Sequence, residues 1–151
     1  MKDHFPHELF IKRAVLKYLE KMWDCDIKKI PKKELWEHGV DIKVKMKYPR
    51  YWLIEVKGGS KSKNARSVDT NSFVFGLGQI ITRIQSKTPP KSEKGSNKYG
   101  VAYPNYFVKY LERQRLHWNL CKALNLYVFL VDENGRVEEY NWKRIKKEFY
   151  S

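Results

Sequence analysis

The sequence predicts an α/β fold with a mixed central sheet and flanking helices, built as one domain over residues 1–151. Three observations predict it. Apolar residues recur at helical spacing in two stretches, Ile11, Val15, Leu19, Met22 and Phe73, Leu77, Ile80, Ile84. Two series of apolar residues at every second position, Ile42, Val44, Met46 and Trp52, Ile54, Val56, mark a hairpin over residues 39–57. Helical and strand patterns then alternate along the rest of the chain, the order of a layered α/β fold.

Residues 6–23 read as the first helix, with Pro6 suited to the first helical position. Glu8 lies one turn before Ile11 on the apolar stripe and so points toward the protein body; it also suits the first turn as an acid favoured by the helix dipole. His4 and His7 read as surface residues. Residues 25–30 read as a short first strand, ended by Pro31, Lys32 and Lys33. The hairpin follows. After it, residues 58–72 are Gly- and Ser-rich and basic, the composition of a loop.

A second long helix is expected over residues 71–85, capped by Asp69, Thr70 or Asn71. Its other side, Ser72, Gly76, Gln79, Arg83 and Ser86, is small or polar. Gly76 and Gly78 weaken a helix by roughly 1 kcal/mol each relative to alanine, which makes sense where backbone or substrate approaches closely. Residues 86–98 read as an exposed loop and 99–103 as a strand. Pro104 opens a helix that sends Phe107, Leu111, Trp118 and Cys121 to the core and Lys109, Arg113 and Arg115 elsewhere. Residues 126–131 form an unbroken apolar strand. Asp132-Glu133-Asn134-Gly135 is a hairpin turn, residues 137–140 return beside it, and 142–150 form a terminal helix.

The hairpin carries the chemistry. Folding it about Pro49 brings Met46 opposite Trp52, Val44 opposite Ile54 and Ile42 opposite Val56, all apolar pairs. The same register sets Asp41 opposite Lys57, with Glu55 on that face two residues earlier. Two carboxylates and a lysine then converge at the open end of the hairpin, where a divalent ion has two acids to bridge. An ordinary cross-strand ion pair explains Asp41 and Lys57 equally well. It explains less well why the apolar run 51–54, which reads as a strand buried on both faces, continues directly into Glu55. An acid and a lysine at the end of such a strand need partners or a metal. His38 is close enough in sequence to reach the same site, or is a plain loop residue.

Asp41, followed by Glu55-Val56-Lys57, resembles the D…(D/E)-x-K signature of the PD-(D/E)xK nuclease superfamily. The proline often found before the first acid is replaced by Val40. The resemblance implies a restriction-endonuclease-like three-layer sandwich with an α-β-β-β-α-β-α-β core, covering nearly the whole chain. It implies a Mg²⁺- or Mn²⁺-dependent nuclease acting on DNA, with Asp41 and Glu55 as catalytic acids and metal ligands, the Val56 carbonyl as a further ligand, and Lys57 as the catalytic lysine. In the resembled fold a glutamate on the first helix often faces the catalytic acids, the role of Glu8. Gln79-Ile80-Ile81-Thr82-Arg83 is similar to the Q-h-x-x-Y motif of RecB-type members, with arginine in place of tyrosine. Gln79 would position water and Arg83 would contact phosphate through two donors.

Lys and Arg outnumber Asp and Glu by 31 to 17, a formal charge of +14. So basic a small chain implies a polyanionic partner, most often nucleic acid. Lys61, Lys63 and Arg66 directly follow the hairpin, placed to hold phosphates or to line a solvated linker. No apolar run approaches the roughly 20 residues of a membrane span, and the N-terminus lacks an apolar signal core, so no membrane partner and a cytoplasmic location are expected. Many standalone nucleases of this size act as homodimers. Cys25 and Cys121 are far apart, without metal-ligand spacing, so neither a disulfide framework nor a zinc site is expected.

Overall fold

The structure is a computed structural model that describes residues 4–27, 42–46, 51–60, 65–85 and 97–151. Its centre is a five-stranded open sheet in the order β1-β2-β3-β4-β5. The strands are β1 (Ile42–Lys45), β2 (Tyr51–Val56), β3 (Lys98–Pro104), β4 (Leu126–Val131) and β5 (Val137–Tyr140). β2, β3 and β4 run parallel, and β1 and β5 are antiparallel edges. The helices are α1 (Glu8–Trp23), α2 (Ala65–Gln85), α3 (Val108–Glu112), α4 (Trp118–Leu124) and α5 (Trp142–Phe149).

The sheet is apolar on both faces, and each face builds its own core. Ile42, Val44, Trp52, Ile54, Val56, Phe129 and Val131 pack under α1, against Ile11, Val15 and Leu19. Leu53, Val101, Tyr103, Val128 and Leu130 pack under α2 and the later helices, against Phe73, Ile80, Leu111, Cys121 and Ile145. Period-two alternation along β2 and β4 sends neighbouring side chains to opposite layers, so all of β2 beyond Tyr51 is buried. The two cysteines are buried, unpaired thiols on opposite sides of the sheet. No helix among the described residues is long and apolar enough to cross a membrane.

Several expectations need correction. The hairpin register is displaced by two residues: Ile42 pairs with Ile54, Val44 with Trp52 and Lys45 with Tyr51. A slip of two leaves every side chain on its face, so apolar alternation fixes register only to within two. The pairings Ile42–Val56, Val44–Ile54 and Met46–Trp52 are therefore not formed, and the register that set Asp41 opposite Lys57 is not the one adopted. Pro6 precedes the first helix rather than opening it; the helix begins at Glu8, with His7 as N-cap. Met22 is 60% exposed. The contact at that end is taken by Trp23, which packs edge-on against Trp52 and donates its indole N–H to Glu139 at 2.6 Å. Residues 25–27 form no strand. Asp24 turns left-handed at φ 53°, and the Cys25 N–H closes back onto the Leu19 carbonyl. Residues 28–30 of that expected strand lie outside the described residues.

α2 starts at Ala65, six residues earlier than its composition implies, so Asp69, Thr70 and Asn71 lie within it rather than capping it. The helix expected from Pro104 is two. Pro104 ends β3, residues 105–107 form a 3₁₀ turn, and α3 stops where Gln114 adopts φ 55°. That break turns buried Leu116 into the core before His117 caps α4, its Nδ1 accepting the Asn119 N–H at 3.0 Å. Trp118 accordingly packs at the margin of that core and is partly exposed. β4, the Asp132–Gly135 turn with Gly135 at φ 81°, and β5 fall where the sequence puts them.

Candidate active site at the carboxyl end of β2

β2 delivers Glu55 into the layer beneath α2, where it is 2% exposed. A carboxylate taken that far from water needs compensation. α2 supplies one partner: Arg83 brings Nη2 to 3.8 Å from Glu55 Oε1, with its side chain 47% exposed. The guanidinium thus bridges a buried acid and the protein surface.

The Lys57 N–H donates to the Ala102 carbonyl at 3.0 Å, so the parallel ladder with β3 extends one residue past β2. This keeps Lys57 extended and, by alternation, on the same side as Glu55. The same bond settles the Val56 backbone. Alternate residues of a strand bond to opposite neighbours, so the Val56 carbonyl points away from β3, toward the side of β1. Ile42, the first described residue of β1, pairs with Ile54. The Val56 carbonyl therefore projects two residues past that pair.

The N-terminus of α1 closes this end of the sheet. The Gly59 N–H donates to the Pro6 carbonyl at 2.9 Å. A Cβ added to Gly58 would lie 2.7 Å from the Glu8 backbone nitrogen and 2.9 Å from the Pro6 carbonyl oxygen. Glycine is thus required for α1 to dock against the segment that follows Lys57. The docking brings half-buried Glu8 to the same end of β2 as Glu55 and Lys57.

Three polar residues at this end, Tyr103 and Asp69 buried and Tyr106 partly so, were not legible as site residues. Tyr103, near the end of β3, is fully buried and donates its hydroxyl to the Phe73 carbonyl at 2.7 Å. Burial first, and the Glu55 charge second, push its ionisation well above the ordinary range. Gly76 is shaped to it: a Cβ there would lie 2.6 Å from the Tyr103 hydroxyl. Asp69, 2% exposed on α2, accepts the Ser60 N–H at 2.9 Å and so fixes the segment after Lys57 from the other side. Burial raises its carboxyl pKa, and the Ser60 N–H and the Lys109 charge oppose that rise. Tyr106 covers Gly59, whose added Cβ would lie 1.8 Å from the phenol oxygen. Burial, then Asp69 and Tyr110, push the Tyr106 phenol up to about 12. Spacing held one signal for Asp69, which continues the buried stripe four residues ahead of Phe73.

The remaining expected residues divide. Gln79 is exposed on the outer side of α2, in a shallow groove with Val74, Phe75, Gly78, Thr82 and Arg83. Arg66 is exposed in the first turn of α2, part of a helix and not of a loop. Asp41, His38, Lys61 and Lys63 lie outside the described residues. Among the described residues no group of three or more His, Cys, Asp or Glu is placed to hold a metal ion. Glu55 and the Val56 carbonyl are two hard oxygen donors at one strand end. That set fits magnesium, which takes one or two carboxylates and keeps much of its water.

None of the protein-family models, curated proteins or solved structures compared with this chain matches it.

Proposed function

We propose that this chain is a magnesium-dependent nuclease of restriction-endonuclease-like fold that hydrolyses phosphodiester bonds within DNA. The observation that carries the reading is buried Glu55 at the carboxyl end of a central parallel strand, with the backbone of Lys57, two residues on, still bonded to β3. Ligand sites of open α/β sheets gather at the carboxyl ends of their strands. Asp41 lies outside the described residues, and its part as the first acid rests on the resemblance of its spacing to Glu55-Val56-Lys57.

Magnesium held by the carboxylates of Asp41 and Glu55 and the carbonyl of Val56 would supply charge neutralisation and Lewis acidity at the attacked phosphate. Lys57 orients the attacking water and stabilises the charge that builds on the phosphate oxygens. Arg83, half in water, donates its planar fork to a phosphate. Glu8 and Gln79 position water, roles that rest on the resemblance. Lys61, Lys63 and Arg66 hold flanking phosphates, an attraction that weakens steeply with salt.

A second reading, a nucleic-acid-binding protein without turnover, is favoured by the Arg83–Glu55 pair itself, because a guanidinium can satisfy a buried acid where no metal does. One experiment separates them. Supercoiled plasmid, linear duplex and a four-way junction are incubated with Mg²⁺, Mn²⁺ or EDTA, with Glu55→Ala beside wild type. Metal-dependent cleavage lost in the variant is expected. Binding of all three without cleavage favours the binder, and cleavage confined to an added RNA substrate makes the enzyme a ribonuclease.

A further inference from the structure

We propose that the outer face of α2 is a seat for an unpaired nucleobase, with Phe75 as its stacking surface and Gly78 as its floor. The proposal deepens the nuclease reading and rests on it for the nucleic-acid partner alone.

It starts from two glycines of one helix. A glycine inside a helix is destabilising relative to alanine, so each needs a reason. Gly76 has one inside the chain, the Tyr103 hydroxyl 2.6 Å from where its Cβ would stand. Gly78 does not: among the described residues, a Cβ there would meet nothing within 4 Å. Whatever requires the bare backbone at Gly78 comes from outside the described residues.

The surroundings state its chemistry. Phe75 is 63% exposed and Val74 58% exposed, large apolar side chains turned to water one helical turn before Gly78. Thr82 turns its hydroxyl inward, donating to the Gly78 carbonyl at 2.8 Å, which leaves that wall less polar. Gln79 and Arg83 complete the groove and give it an amide and a guanidinium. The occupant therefore has an apolar flat face, a hydrogen-bonding edge and an attached anion. A nucleobase on its phosphate backbone has all three, and the chain's charge of +14 draws in a polyanion. A base stacked and paired within a duplex cannot present its face to Phe75, whereas an unpaired one can. Arg83 also lies 3.8 Å from Glu55, so one side chain links the seat to the catalytic strand. The substrate class is DNA with a single-stranded element: a free strand, a flap or the opened centre of a junction.

The test uses the full chain in EDTA, where cleavage does not intervene. Binding of a fluorescent single strand and of a blunt duplex of the same length is titrated for wild type, Gly78→Ala and Phe75→Ala. A 2-aminopurine strand reports stacking. Gly78→Ala is expected to raise the thermal midpoint, yet to weaken single-strand binding about tenfold and leave duplex binding unchanged. Phe75→Ala is expected to show the same selective loss, and both variants to abolish 2-aminopurine quenching. A more stable Gly78→Ala with both affinities intact overturns the seat. So does an equal loss on single strand and duplex. So does a wild-type dimer, seen by sedimentation, that either variant dissolves, because a second copy then covers this face. Intact plasmid cleavage with no effect of Gly78→Ala sinks the seat and spares the nuclease reading. Selective single-strand binding without cleavage does the reverse.

Discussion

Arg83 on α2 and Glu55 on β2 face each other across the helix–sheet interface, 3.8 Å apart, one half in water and the other almost wholly buried. The separation is longer than the roughly 2.7–2.9 Å of a charge-assisted hydrogen bond, so the pair acts through charge. Arg83→Ala should destabilise the fold by about 1–2 kcal/mol, above an exposed pair and below a fully buried one. Urea unfolding checks this. The same variant should lower the salt slope of DNA binding by about one, because the guanidinium is proposed to take a phosphate.

Gly76 and Tyr103 make a second, purely structural contact. Gly76→Ala forces a methyl against a hydroxyl that already donates to the Phe73 carbonyl. A loss of about 1–3 kcal/mol is expected. Tyr103→Phe removes the obstructing oxygen, so the double variant should recover part of the loss. A double-mutant cycle in urea reads the coupling, and strict additivity would show that the two residues do not press on each other.

Gly58 carries the docking of α1. Gly58→Ala would drive a methyl to 2.7 Å from a backbone nitrogen, which cannot swing away as a side-chain tip can. The chain must shift next to Lys57. Cleavage should fall more than stability does, and the comparison is of turnover with the thermal midpoint for the one variant.

Asp69 gives a pH signature. Its carboxyl pKa is raised in the folded protein, chiefly by burial. The folded state then binds more protons than the unfolded state, so stability falls as pH rises from the ordinary aspartate value of 3.8 through the raised one. Asp69→Asn removes this loss and still accepts the Ser60 N–H through its amide oxygen. The variant's advantage should be nil well below pH 3.8 and grow to a plateau toward neutrality. Urea midpoints across pH 3–7 measure it, and an advantage that shrinks with pH would show that the Ser60 and Lys109 interactions outweigh burial.

Much of this frame is legible locally. Apolar residues 126–131 next to a Gly135 turn allow little except a buried strand and a hairpin. Phe73, Leu77, Ile80 and Ile84 mark one face of a helix wherever that helix begins. What local pattern cannot reach is set by distant partners. The start of α2 is hidden because residues 65–70 read as polar loop, whereas Asp69 is buried by its bond to Ser60. The register of β1 on β2 is hidden because a slip of two keeps every side chain on its face and still sets Ile42 and Val44 opposite apolar residues. Of the candidate site, Glu55 is legible as the acid that ends a buried strand. Its partnership with Arg83, 28 positions away in sequence, is not legible there. The sequence reads Arg83 as a phosphate contact, and only tertiary packing turns it toward Glu55 as well.

Glu55 is proposed to hold the metal that makes this chain a nuclease. The most direct test is nicking of supercoiled plasmid in Mg²⁺ by wild type and by Glu55→Gln, which keeps the shape of the side chain and removes its charge. Thermal unfolding confirms that the variant is folded. Nicking by wild type that EDTA stops and that the folded variant lacks is expected. A folded Glu55→Gln that nicks at the wild-type rate would contradict it.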